Sequence, residues 1–153
     1  MSYVSEIRKK IGHDPLMIVG ASVIVTDEAG RVLLQHRADN GLWGYHGGCV
    51  ELGENTEAAA RRELLEETGL TAGKMTLFGV FSGPEMRYTY PNRDQASVVD
   101  VVYLCSDYSG EIRPQPEEVT ELRWFAPAAI PADDQLSPPN IPALRRWQEG
   151  ART

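Results

Sequence analysis

Gly48-Cys49-Val50-Glu51-Leu52-Gly53-Glu54 and, after seven intervening residues, Arg62-Glu63-Leu64-Leu65-Glu66-Glu67-Thr68-Gly69-Leu70 decide the reading of this chain. Glu63, Glu66 and Glu67 are spaced i, i+3, i+4, which on a helix turning about 100° per residue gathers them within an arc of about 100°. A wet acidic face is the ordinary reading of such residues. Three features argue against it. Like charges at i, i+4 repel, at about 4 kcal/mol for carboxylates about 4 Å apart in an effective dielectric near 20. Gly69 suits a left-handed helix stop, so Glu66 and Glu67 fall at the negative end of the macrodipole, where Lys or Arg would be favoured. The sector with the glutamates also holds Ala59, Ala60 and Leu64, whereas Arg61 and Thr68 point away, so the carboxylates are expected to face inward.

Inward carboxylates must protonate or find a partner, and Arg62 can reach Glu66 but not all three. Hard oxygen donors in this number suit Mg²⁺ or Mn²⁺, and no Cys/His spacing resembles a zinc site. Gly47-Gly48 reads as a loop ahead of the helix that lets backbone approach an ion or phosphate and offers a carbonyl. Gly53 permits a turn into the helix, with Asn55 or Thr56 as its cap and Glu57 favourable in its first turn.

The run resembles the signature of the Nudix hydrolases: glycine, five residues, glutamate, seven residues, Arg-Glu, an aliphatic, any residue, Glu-Glu, any residue, glycine, an aliphatic. Gly48 through Leu70 fill every specified position. Outside this box the similarity is looser, through Leu33-Leu34-Gln35-His36-Arg37, Trp43 and Trp124-Phe125. One departure is plain: many members carry proline immediately before the paired glycines, and this chain has His46. The resemblance implies an α/β Nudix fold, an α/β/α sandwich around a mixed β-sheet. It also implies metal-assisted hydrolysis of a nucleoside diphosphate linked to another group.

Carried over residue by residue, the resemblance makes Glu63 and Glu67 the main metal ligands, Glu66 a further ligand and the Gly48 carbonyl a backbone ligand. Glu54 and Arg62 become the outer partners that orient them. Family members differ in the acid that takes the proton from water, so Glu63 and Glu66 stand as candidates inside the box. Glu118, ahead of Glu117, is the choice outside it. The implied cofactor is Mg²⁺ or Mn²⁺, and the implied mechanism is attack of a metal-activated water on phosphorus with a phosphate as leaving group.

At 153 residues the chain suits one domain over 1–153. A net charge of −7 argues against nonspecific binding to nucleic acid or an anionic membrane. The resemblance implies a small nucleotide as partner, and since many relatives are dimers a homodimer stays open. Cys49 and Cys105 form no disulfide framework and suit a reducing cytoplasm; no apolar run approaches a membrane span.

Strands are expected over Met17 to Thr26, Val32 to His36, Met75 to Phe81, Ser97 to Cys105 and Glu121 to Phe125. Asp27-Glu28-Ala29-Gly30 reads as the hairpin turn joining the first two. Short helices are expected over Val4 to Ile11 and Ala143 to Glu149, the second after the Pro-rich Pro131 to Pro142. The segment Phe81 to Asp94 reads as a long loop in which Phe81, Tyr88 or Tyr90 could stack on a base and Arg87 or Arg93 meet a phosphate. Arg37 is a further substrate-binding candidate. Tyr90-Pro91-Asn92-Arg93-Asp94 resembles a turn in some small Nudix proteins that has glycine where Arg93 stands. His13, His36 and His46 have no Ser, Cys or second His at a telling spacing and read as structural or exposed. Two other functions stay open: a nucleotide-sensing Nudix domain without turnover, and an isomerase of isoprenoid diphosphates, for which no defensible cysteine-and-glutamate pairing is present.

Overall fold

The computed structural model describes residues 2–151. In chain order the elements are α1 (Tyr3–Ile11), β1 (Leu16–Val25), β2 (Val32–Arg37), β3 (Trp43–Gly44), β4 (His46–Cys49), α2 (Thr56–Thr68), β5 (Thr71–Ala72), β6 (Thr76–Phe81), β7 (Arg87–Thr89), β8 (Gln95–Cys105), β9 (Tyr108–Ser109), β10 (Val119–Phe125) and α3 (Ile141–Ala151). Both β1 and β8 are long runs of Val, Ile and Leu, and they pair in parallel from Leu16↔Ala96 to Val25↔Cys105. Strand β4 flanks β1 antiparallel, and β6 and β7 flank β8, completing a mixed five-stranded sheet.

Residues on either face of β1 enter different cores, as expected for a strand covered on both sides. Ala21, Val23 and Val25 pack with Ala59, Ala60 and Leu64 of α2, whereas Ile24 joins Val32, Leu34, Trp43, Phe125 and Leu144 beneath α3. Helix α2 is held at both ends: the Asn55 side chain accepts from Ala58 N at 2.7 Å, and Gly69 takes the left-handed conformation at φ 80° with its N–H on Leu65 O.

Four expectations change. The 27–30 turn forms, with the Asp27 carboxylate accepting from the N–H groups of Ala29 and Arg31, but β1 and β2 share only the Thr26↔Val32 bridge. Both edges of β1 are occupied by β4 and β8, so β2 leaves to pair with β10 and β3 in a three-stranded sheet. Gly47 and Gly48 lie on β4, opposite Ser22 and Ala21, and not in a loop. Thr68 is fully buried, because its hydroxyl donates to Leu64 O at 2.6 Å and accepts from Leu70 N, so its polarity is satisfied within its own turn. The 81–94 segment is ordered as a short 3-10 turn at Pro84–Met86, strand β7 and a tight turn closed by Tyr90 N on Asp94 O at 2.8 Å.

Arg93 in that turn has φ 76°, the left-handed region that costs a side chain and suits glycine. Arg93→Gly is expected to stabilise the fold by about 0.5–1 kcal/mol, read as a higher thermal midpoint. An unchanged or lower midpoint would show that the Arg93 side chain itself holds the turn.

Candidate active site

The glutamates of α2 separate by depth. Glu67 is 4% exposed, Glu63 is half-buried, and the Glu66 side chain is 53% exposed, so the expected inward face holds for two of the three. Arg62 forms two parallel bonds to Glu54, Nε to Oε2 at 2.8 Å and Nη2 to Oε1 at 2.9 Å. Its Nη1 donates to Glu63 Oε1 at 2.9 Å and lies 3.5 Å from Glu66 Oε2. This fork holds the Glu54 carboxyl down at about 2 and ties the approach to α2 onto the helix itself. Glu67 has no ion pair among the described residues; it accepts from Gly47 N at 3.1 Å and from the side chain of Gln35.

Burial pushes the Glu67 carboxyl well above the usual carboxylate range, and the charge of Glu63 adds to it. Glu63 is pushed up chiefly by its own burial, against the pull of Arg62. A side chain on Gly48 would run into the Glu63 carboxylate, so the bare backbone of β4 is what lets strand and carboxylates meet.

Across from the helix lies a cleft of about 380 Å³. Among the predicted residues it brings together Gly48, Glu63, Glu66, Glu67, Glu118, Arg37, Tyr88 and Tyr90. Tyr88 and Tyr90 arrive as alternate residues at the end of β7, their rings 4.8 Å apart and crossed at 79°. Phe81, Arg87 and Arg93 are not in the cleft. Phe81 stacks with Phe78 under Arg146 against the α3 core, Arg87 alternates away from Tyr88 on β7, and Arg93 sits in the left-handed turn. Arg37 is bound through Nε and Nη2 to Asp39 at 3.0 and 2.9 Å, so its charge is largely matched. Glu118 is exposed at the rim.

The cleft also holds residues that sequence reasoning missed. Asp100 on β8 is buried, accepting from Ser22 Oγ and Tyr45 OH at 2.7 Å each, and burial raises its carboxyl. A single acid inside Ser97-Val98-Val99-Asp100-Val101-Val102 was the available signal. Asn140, whose side chain bonds to Tyr45, and Ser137 come from the Pro-rich segment, where nothing in the pattern marked them. Ser137 Oγ and Gln115 Oε1 are buried at the cleft with no hydrogen-bond partner among the described residues. Burial, reinforced by Glu63, pushes the Cys49 thiol up to about 11, which removes it as a nucleophile at neutral pH.

The histidines behave as structural groups. His13 bonds Asp94 and His36 bonds Thr120, each at 2.7 Å. His46 is fully buried, with Nδ1 3.1 Å from Gln35 Oε1 and Nε2 3.0 Å from Leu33 O, and burial pushes its imidazole down to about 4.

The chain that carries this site, a carboxylate-bearing helix end facing a bare-backbone strand beside a polar cleft, is similar to known proteins. The model of the NUDIX domain matches residues 17–147, and the chain belongs to that family: it is a Nudix hydrolase. A Bacillus subtilis (strain 168) protein provisionally named an 8-oxo-dGTP diphosphatase is 35% identical over 112 residues, 73% of this chain and 68% of the relative. The NAD-capped RNA hydrolase NudC of Actinobacillus succinogenes is 34% identical over 123 residues, 74% of this chain but 42% of the relative. The crystal structure of a MutT NUDIX hydrolase from Burkholderia pseudomallei superposes with a TM-score of 0.71 at 31% identity, covering 85% of this chain and 97% of that one. The family generally uses divalent metal ions. Among the described residues no helix is long and apolar enough to cross a membrane.

Proposed function

We propose that this chain is a metal-dependent pyrophosphohydrolase that cleaves the diphosphate linkage of a nucleoside di- or triphosphate derivative, of the NTP, NDP-sugar or ADP-ribose type. The observation that carries this reading is the Glu63–Glu67 pair, two carboxylates buried side by side against the bare backbone of Gly48 at the cleft, each raised chiefly by its burial and Glu67 further by the charge of Glu63. Such a pair calls for a cation, and its all-oxygen donor set fits a hard one. Among the described residues no three acidic, His or Cys side chains form a ready cage, since Glu66 stands in solvent beside Arg62.

Glu63, Glu66, Glu67 and the Gly48 carbonyl would hold Mg²⁺ or Mn²⁺, which when bound supplies positive charge for the phosphates and acidifies a water. The residues of this chain do the rest. Arg62, fixed by its fork to Glu54, orients Glu63. Glu63, Glu66 and Glu118 line the cleft, and one of them would take the proton from the attacking water, Glu66 and Glu118 being open to solvent and able to pass it on. Tyr88 and Tyr90 offer aromatic faces to a base, a contact worth roughly 1–3 kcal/mol. Arg37, steadied by Asp39, faces the same cleft for a phosphate. The unpartnered Ser137 Oγ and the Asn140 amide offer polar contacts to the base edge. The free thiols of Cys49 and Cys105 support a reducing compartment, the cytoplasm.

The test is release of phosphate, pyrophosphate and nucleoside monophosphate from a panel of nucleoside triphosphates, nucleotide sugars, ADP-ribose and dinucleotides, with Mg²⁺, with Mn²⁺ and with chelator. Turnover in metal, abolished by chelator, is expected, and the products name the bond cleaved. Nucleotide bound without any product would replace this reading with a sensor.

A further inference from the structure

The departure at His46 leads to a feature of this chain's own. Gln35 lies on β2, in the three-stranded sheet, and is 2% exposed; Glu67 lies on α2, which packs against the five-stranded sheet. Beyond the apolar packing of Leu33 on α2, the Gln35 side chain is a polar contact between them, with one end of its amide on Glu67 and the other on His46 Nδ1 at 3.1 Å. His46 sits on β4 immediately before Gly47, whose N–H is the other donor to Glu67. The carboxylate is thus received by one backbone and one side-chain donor, and both are set by the position of β4.

We propose that His46 and Gln35 are positioning residues that aim the Glu67 carboxylate at the metal, doing with hydrogen bonds what a rigid proline before the glycines would do by restricting the backbone. This rests on the reading of Glu67 as a metal ligand. A neutral His46 has one N–H between two oxygens, Gln35 Oε1 and Leu33 O. On Nδ1 that proton donates to Gln35 Oε1 and leaves the amide N–H for Glu67, the orientation from which an ionised carboxylate accepts; on Nε2 it donates to Leu33 O, and the amide turns its N–H to the ring and its oxygen to Glu67, so the ring decides which end of the amide the carboxylate meets. The ring itself cannot swing, because it is fully buried and its far side abuts Leu33 O. Gln35 is likewise enclosed, so the amide has little freedom to follow a misplaced ligand. Carboxylates that bind metals are commonly fixed by such outer partners, and losing one weakens binding about 10–100-fold.

The experiment measures Mn²⁺ binding without nucleotide, from the spectroscopic signal of free Mn²⁺, for the full-length wild type and for Gln35→Leu, His46→Pro and Glu67→Gln. Gln35→Leu keeps the buried volume and removes the amide; His46→Pro restores the residue many family members carry and removes the brace while leaving Gln35. Weakening by about tenfold or more is expected for Gln35→Leu, and a smaller loss in the same direction for His46→Pro. At saturating Mn²⁺, Gln35→Leu is expected to regain kcat with KM for nucleotide unchanged, a recovery that a merely misfolded site would not show. If Glu67→Gln loses Mn²⁺ and both other variants bind it as the wild type does, the positioning role is overturned while the ligand assignment stands. If Glu67→Gln also binds Mn²⁺ normally, both are overturned. Should Gln35→Leu fail to fold, His46→Pro decides between the same outcomes.

Discussion

Glu67→Gln is expected to lower turnover by about 10²–10³-fold or more, the scale of removing one electrostatic contact to a developing charge, while making the metal-free protein more resistant to heat at neutral pH. The two effects share a cause. Glu67 is buried beside Glu63, and the folded chain holds its carboxyl above the ordinary 4.5. In the pH interval between that ordinary value and the folded one, the folded protein therefore carries a proton that the unfolded chain has released. Stability from this group is full below about 4.5 and is lost as pH rises toward the folded value.

The amide variant has no proton to lose, keeps the shape of the side chain, and its oxygen can still accept from Gly47 N–H. In chelator, its thermal midpoint is expected to exceed that of the wild type increasingly as pH is raised above 4.5. Addition of Mg²⁺ is expected to reverse the order, since a ligand that binds only the folded state stabilises in proportion to its affinity, and the amide binds a hard cation poorly. Midpoints measured with and without metal across pH, beside turnover on the best substrate of the panel, check all three statements. Near-native turnover in Glu67→Gln would remove Glu67 from the metal site.

How much of this was readable in the sequence depends on the range of the interaction involved. Helix α2 was legible because its signals are local: Asn55 as cap, Gly69 as stop, and three glutamates whose repulsion and placement at the negative helix end make no sense for stability alone. The fork of Arg62 on Glu54 was reachable from the same reasoning, since the loop returns to its own helix. Thr68 escaped because its polarity is cancelled by a hydrogen bond one turn back, which a hydrophobic pattern does not register. Tyr88, Tyr90 and Arg87 could be sorted into cleft and surface only once β7 was known to pair with β8, after which strict alternation does the sorting.

Asp100, Ser137 and Asn140 reach the cleft through the parallel β1–β8 pairing and the packing of the Pro-rich segment, contacts between parts of the chain far apart in sequence. The departure of β2 from β1 has the same origin. Its turn is local and was read correctly, but the partner of β2 is decided by which edges of β1 are already taken.

The paired glycines are expected to fail in different ways, which separates structure from chemistry at adjacent positions. A methyl group on Gly47 would lie 2.7 Å from both the Ala21 carbonyl oxygen and Ser22 Cβ, and nearer still to Ser22 Oγ, all of them on β1 or on a side chain fixed by Asp100. Backbone cannot yield cheaply there, so Gly47→Ala must push β4 away from β1 and is expected to cost about 1–3 kcal/mol or more in stability. The same shift moves the Gly47 N–H off Glu67 and the Gly48 carbonyl with it. A methyl group on Gly48 instead has its three nearest atoms in the Glu63 carboxylate, the far end of a flexible side chain that can swing aside. Gly48→Ala is therefore expected to fold with a thermal midpoint near that of the wild type and to lose most of its turnover and Mn²⁺ affinity. Denaturant unfolding in chelator, paired with turnover at saturating metal, checks the contrast. If Gly48→Ala kept full activity, the Glu63 carboxylate would have no required place against β4 and would lose its standing as a ligand; if Gly47→Ala kept full stability, the close approach of β4 to β1 would not be what demands a glycine there.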